Sequence, residues 1–180
     1  MAYTILYIAI SNDGFIADKN GSVDWLPQEA PEGEDFGFET FLDSIDVIAQ
    51  GSRTYLQTIS FIESGIVPDL PYGGKHMYVF TREPMTTDRT DVTFVSSIEE
   101  YLNLINQDPF IKRVWLLGGA ELIAGFKAQD LIDECILTVI PKTLHEGIAL
   151  PATVFDGMQE VAIKNFSQGI IEKRYIRKAA

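Results

Sequence analysis

Short apolar runs, each cut off by glycine or turn residues, alternate with helical stretches through most of this chain, and that alternation limits what it can fold into. Tyr3–Ile10 is apolar and β-branched, and it ends in Ser-Asn-Asp-Gly. Asp46–Gln50 stops at Gly51, and Arg113–Leu117 stops at Gly118-Gly119. Lys75–Thr81, Val92–Val95 and Cys135–Ile140 complete a set of buried strands. Helical spacing connects them. Residues 35–45 place Phe38, Phe41, Leu42 and Ile45 on one stripe, and Thr54–Ile59 forms a short helix. Ser96 or Ser97, with Glu99 or Glu100, starts a helix over Ile98–Ile105, and Ala120–Ala128 forms another. Such alternation predicts an α/β fold with a mostly parallel sheet covered on both faces. Val161–Ser167 and Ile170–Arg177 lack a helix between them. They predict an antiparallel hairpin around Gln168-Gly169 at one sheet edge.

A length of 180 residues suits one domain spanning 1–180. No apolar run approaches the ~20 residues that span a bilayer. MAYTILYIAI has no basic region before its apolar stretch, so a secretory signal is not expected. The expected setting is cytoplasmic, with no membrane partner. A single cysteine, Cys135, excludes an internal disulfide or a multi-cysteine zinc site. The net charge of −12 disfavours a nucleic-acid binder, which needs cations to displace counterions from phosphates. His76 and His145 are isolated from any metal spacing and are expected to be structural, and no metal is expected.

In an open α/β sheet, ligands sit beyond the carboxyl ends of the strands. Three such ends carry suitable chemistry. Gly118-Gly119-Ala120-Glu121-Leu122 lets backbone approach a ligand and opens a helix whose N–H groups suit phosphate. Paired glycines also serve packing alone. Gly51-Ser52-Arg53-Thr54 offers a turn and a cation, and Thr81-Arg82 a hydroxyl and a guanidinium. Asp35 lies one turn before Phe38, placed to look into a pocket and accept from an amidine-like edge of a heterocycle. The long segment from Ser11 to Glu34 predicts a functional lid.

Taken in order, these motifs resemble the dihydrofolate reductase superfamily, specifically stand-alone reductases similar to the C-terminal domain of the bacterial riboflavin deaminase-reductase. The resemblance rests on Ile8-Ala9-Ile10-Ser11-Asn12-Asp13-Gly14-Phe15-Ile16-Ala17, Val23-Asp24-Trp25-Leu26-Pro27, Gly51-Ser52-Arg53-Thr54-Tyr55, Val79-Phe80-Thr81-Arg82, Leu117-Gly118-Gly119-Ala120-Glu121-Leu122 and Leu137-Thr138-Val139-Ile140-Pro141. It implies a three-layer dihydrofolate-reductase-like fold and NADPH as cofactor. Ala9, Ile16 and Ala17 would flank the nicotinamide. Gly51, Ser52, Arg53 and Thr54 would follow the pyrophosphate and the phosphoadenosine half. Thr81 and Arg82 would face the 2′-phosphate. Gly118, Gly119, Ala120, Glu121 and Leu122 would wrap the pyrophosphate. Asp35, or a water it orients, would be the catalytic acid, with Asp24 or Glu29 as substitutes, and Asp24, Trp25 and Thr138 would contact a small-molecule substrate.

The implied reaction is hydride transfer to a pterin, pyrimidine or related heterocycle. It is either of the 5-amino-6-(5-phosphoribosylamino)uracil type of riboflavin biosynthesis or of the dihydrofolate type. A catalytically silent nucleotide-binding sensor or partner module is the alternative. Two features depart from the pattern. Ser52 stands where relatives often carry arginine, and no basic patch for a ribose phosphate appears beyond Lys75. The apolar positions in Ile170–Ile176 predict a homodimer through the terminal strand.

Overall fold

The computed structural model describes residues 1–27 and 34–178. In chain order the strands are β1 (Tyr3–Ser11), β2 (Phe15–Ala17), β3 (Val47–Gly51), β4 (His76–Phe80), β5 (Val92–Val95), β6 (Arg113–Gly118), β7 (Glu134–Ile140), β8 (Ile148–Ala149), β9 (Met158–Asn165) and β10 (Ile171–Arg177). The helices are α1 (Phe38–Asp43), α2 (Ser52–Glu63), α3 (Ile98–Gln107) and α4 (Ala120–Ala128). Eight strands form one sheet in the order β5-β4-β3-β6-β1-β7-β10-β9. The pairs from β5 to β7 are parallel; β10 lies antiparallel to both β7 and β9. This is the dihydrofolate-reductase-like α/β architecture expected from the sequence.

The two-residue period of the strands divides the core. Leu6, Ala49 and Leu116 face Tyr101 of α3 and Phe126 of α4. Their chain neighbours Ile5, Ile48 and Trp115 face the other way, towards Phe41 of α1 and Tyr55 of α2. Helices therefore cover both sheet faces, giving three layers. The start of α3 follows the expected capping chemistry. The Ser97 hydroxyl accepts from the Glu100 N–H at 3.1 Å, and the Glu100 carboxylate reaches back to the N–H and hydroxyl of Ser96.

Three expectations shift. The stripe over residues 35–45 yields only the six-residue α1, because Gly37 at its start adopts a left-handed φ of 82° that cannot propagate a helix. The hairpin turns at Gln168-Gly169 as expected, but its first strand begins at Met158 and ends at Asn165. Strand β10 is not a free edge. It is hydrogen-bonded on both sides, so the dimer argument from Ile170–Ile176 loses its premise, and the edge is β9.

The small sheet of β2 and β8 was not foreseen, since strands of three and two residues leave no readable alternation. It depends on Gly147, where an added Cβ would lie 2.3 Å from the Ala17 carbonyl oxygen. Among the described residues, no helix is long and apolar enough to cross a membrane.

Candidate active-site cleft

The carboxyl ends of β3, β4 and β6 open into a cleft of about 1520 Å³ that continues across β1 to β7. At one end, α2 and α4 begin directly after Gly51 and Gly119, and neither start is capped by a side chain. The first N–H groups of two helices are thus left for an anion, with the favourable end of each helix dipole behind them. The glycines bring the two starts together: a Cβ on Gly51 would meet the Gly119 nitrogen at 3.7 Å. Gly118 has a φ of 128°, which side-chain-bearing residues rarely adopt, and its peptide bond to Gly119 is cis.

Arg53 and Arg82 stand at this end, 87% and 85% exposed, with Glu121 between them. The Glu121 carboxylate is 3.1 Å from the Arg82 guanidinium and 3.9 Å from that of Arg53. The Thr81 hydroxyl is committed to its own turn, donating to the Glu83 carbonyl and accepting from the Glu83 N–H.

Ala9, Ile16 and Ala17 line the middle of the cleft. The strand carrying Ile16 and Ala17 is fixed by Asp13. Its carboxylate accepts from the Ser11 hydroxyl at 2.7 Å and from the N–H groups of Leu144 and His145 at 3.1 and 2.8 Å. Partial desolvation opposes ionisation of Asp13, but these hydrogen bonds outweigh it and bring the carboxyl down to about 2. Further along, the Gln57 amide of α2 donates to the Gly21 carbonyl at 3.1 Å, joining the lid segment to the cleft wall.

The other end is aromatic. Trp115 on β6 packs edge-on against Phe38 and Tyr72, at 5.7 and 5.5 Å between ring centroids, and donates its indole N–H to the Tyr7 carbonyl at 3.0 Å. Tyr72 and Thr58 share a buried hydroxyl contact at 3.3 Å. Thr138 on β7 lies beside Tyr7, and burial raises the Tyr7 phenol above its ordinary value despite a hydrogen bond to Thr138.

Asp35 also lines this end, but as a helix-start cap. Its carboxylate accepts from the N–H groups of Glu39 and Gly37 at 2.8 and 2.9 Å. Those two bonds, with a smaller contribution from Lys164, hold it below the usual carboxylate value. An ionised, exposed carboxylate keeps lone pairs for a ligand N–H; it does not store a proton at neutral pH.

The family model for the RibD C-terminal domain matches residues 70–171. This chain belongs to the RibD C-terminal domain family. It is 37% identical over 147 residues to the uncharacterized protein YwjB of Bacillus subtilis (strain 168), covering 82% of this chain and 81% of that protein. A putative riboflavin biosynthesis protein from Shewanella sp. PV-4 superposes with a TM-score of 0.81 at 26% identity, over 99% of this chain and all of that one. Dihydrofolate reductase from Enterococcus faecalis, complexed with NADP(H), shares the fold at a TM-score of 0.65 and 18% identity, over 98% and 97% of the two chains. The matched family is one of oxidoreductases.

Within this RibD-type cleft, the structure gathers most of the residues singled out in the sequence. Gly51 to Thr54, Thr81, Arg82 and Gly119 to Leu122 line one end; Asp35 and Thr138 line the other. Gly118 is buried behind the lining.

Two residues expected to contact the substrate lie off the cleft lining. Asp24 is exposed and does not line the cleft. Trp25 is 7% exposed and packs with Ile140 and Ile170, supporting the wall from behind, because its large apolar ring is better satisfied there than at an open surface. Glu29 lies outside the described residues. Lys75 does not line the cleft. Cys135 is buried and its thiol is pushed up to about 12, which makes it inert. The His76 ring is paired to the Thr93 hydroxyl at 2.9 Å.

Sequence reasoning missed the aromatic wall. Trp115 was visible only as part of an apolar strand, although alternation within Val-Trp-Leu-Leu separates Trp115 and Leu117 from Val114 and Leu116. Tyr72 sits in a glycine- and proline-rich loop that carries no periodic signal at all.

Proposed function

We propose that this chain is an NADPH-dependent reductase that delivers hydride to a carbon of a C=N or C=O bond in a pterin, pyrimidine or related small heterocycle. The observation that carries this reading is one continuous cleft with two contrasting ends. Two uncapped helix starts and two arginines stand at one end, and an aromatic wall with a carboxylate and a threonine stands at the other. The first set matches the phosphates of a dinucleotide in charge and donor chemistry. Gly51 to Thr54 and Gly119 to Leu122 would hold the pyrophosphate, Thr81 and Arg82 the 2′-phosphate side, and Ala9, Ile16 and Ala17 the nicotinamide. When bound, NADPH supplies the hydride.

The chain's own part is placement and exclusion of water. The strand held by Asp13 positions Ile16 and Ala17 at the centre of the cleft, and residues 20–23, bonded to Gln57 through Gly21, line it. Asp35 accepts a hydrogen bond from the substrate's N–H edge in its ionised form. The Thr138 hydroxyl orients the same ring, and the proton that completes reduction comes from water. We further propose that the chain works as a single domain in the cytoplasm and as a homodimer. Pairing through the C-terminal sheet edge would use β9, whose Val161 and Ile163 are exposed.

The decisive experiment follows NADPH oxidation by the purified protein across a panel of pterins, pyrimidines and simple carbonyls. Turnover with a heterocycle is expected. Tight NADPH binding without oxidation of it by any panel member would favour a silent binding module, and absence of NADPH binding would remove both readings. Light scattering tests the dimer: the chain mass of 20.1 kDa, rather than twice that, would end it.

A further inference from the structure

The substrate end of the cleft has an unusual charge. The chain has fourteen lysines and arginines, and the segments outside the described residues contain none of them. Only Arg53 and Arg82 line the cleft. Both follow β3 and β4, and Glu121 already engages them. Thr138 is on β7, three strand spacings from β3, or roughly 14 Å across the sheet. A phosphate on the substrate would therefore have to compete with the cofactor's own phosphates for these two cations.

Strand register shows what surrounds Thr138 instead. Ala9 pairs with Thr138, Thr138 with Glu172, and Glu172 with Lys164, so these side chains form one row on one sheet face, running from the cleft to the edge. Glu172 is half-buried in that row. Asp35 and Glu172 both act electrostatically on the Tyr7 hydroxyl. Desolvation raises Glu172 above its ordinary value, and Lys164 partly offsets this. Lys164 is the counter-charge to both carboxylates, and its ammonium lies over the Phe166 ring at 4.2 Å. Asp35 is the charged side chain that lines this end of the cleft, which is therefore acidic beside its aromatic walls; Glu172, offset in charge by Lys164 and Arg174, lies one strand beyond Thr138 in the same row.

We propose that the substrate is a flat heterocycle, neutral or protonated, with no phosphate and no carboxylate tail. It would be held by the Tyr7, Tyr72 and Trp115 wall and by N–H donation to Asp35. This rests on the reductase reading and narrows it. Aromatic packing and carboxylate-to-N–H bonds both favour such a ring, whereas an anionic tail meets the Asp35 carboxylate, and Lys164, the cation that acts on Asp35, does not line the cleft. Neither a ribose phosphate nor an acidic tail has a cleft-lining cation as partner at this end.

Calorimetry on NADPH-saturated protein tests this with matched ligands. One pair is a ribosylaminouracil and its 5′-phosphate; the other is a 2,4-diaminopteridine with and without a glutamate-bearing tail. The tail-free member of each pair is expected to bind at least about tenfold more tightly, since like charges at this range are poorly screened. Its affinity should change less than about twofold between roughly 50 and 500 mM salt. Glu172→Gln, which keeps the side chain's shape, should narrow the discrimination.

Tighter binding of the phosphorylated member, with that preference lost in Lys164→Ala, would overturn the substrate class while leaving the reductase reading intact. Binding of tail-free rings without NADPH oxidation would uphold the class and count against the reductase reading. Failure of every ring to bind would overturn both.

Discussion

The two ends of the cleft are built from different parts of the chain. The end proposed for the nucleotide uses backbone: glycines at the ends of β3 and β6, the uncapped starts of α2 and α4, and a few residues contiguous with them. The end proposed for the substrate uses side chains from separate places: Tyr7 on β1, Phe38 on α1, Tyr72 from a loop, Trp115 on β6 and Thr138 on β7. The first kind of site needs glycine and a strand-to-helix turn, and short local motifs specify it. The second needs register across the sheet. Charge divides along the same line, with Arg53 and Arg82 around Glu121 at one end and Asp35 with the aromatics at the other.

If the two ends are energetically separate, disrupting one should spare the other. The largest effect is expected from Trp115→Ala. Trp115 is buried under Tyr7, Phe38 and Tyr72, and removing such a ring costs about 3–5 kcal/mol of stability. Urea unfolding measures that cost. Under conditions where the variant remains folded, it should lose ring binding and still quench or shift NADPH fluorescence. Joint loss of both ligands would show that the ends are one unit.

Arg82→Ala makes the reciprocal test. Losing a charge-assisted contact should weaken NADPH by roughly 1.5–3 kcal/mol while changing NADH and ring affinity little. Arg53→Ala should discriminate less between the two cofactors, since Arg53 would turn towards the pyrophosphate that NADPH and NADH share. Equal weakening of NADPH and NADH in Arg82→Ala would move this arginine away from the 2′-phosphate.

A smaller, opposite effect is expected at Glu121. Its carboxylate occupies the arginines that a phosphate would need. An exposed ion pair of this kind is worth up to about 1 kcal/mol, so Glu121→Gln should tighten NADPH by no more than about fivefold. Weaker NADPH binding in this variant would mean that Glu121 contacts the cofactor directly.

The smallest effect is expected at the boundary between the ends. Asp13 has a folded-state value lowered from the ordinary 3.8 to about 2, so its contribution to stability is complete above 3.8 and disappears as pH falls through about 2. Asp13→Asn should melt below the wild type at neutral pH, and the gap should close across that acidic window. A gap independent of pH would show that the carboxylate's charge is not what anchors Ile16 and Ala17.

What could be read in advance follows from range. Alternating strands and helices, the Ser97–Glu100 cap and the glycine-punctuated strand ends depend on neighbours within a few residues, so the linear sequence specifies them. They gave the sheet, its two covered faces and the strand ends at which Gly51, Thr81, Arg82 and Gly119 line the cleft. Trp25 looked like a contact residue because its motif is local, yet it turned inward once Ile140 and Ile170 were available to bury it.

Tertiary structure decided the rest. The sheet order moved β10 off the edge, and parallel register set Thr138 beside Ala9 and Glu172. Each of these depends on which distant strand comes to lie alongside. That choice is made by burial over the whole sheet, and periodicity within one segment carries no trace of it.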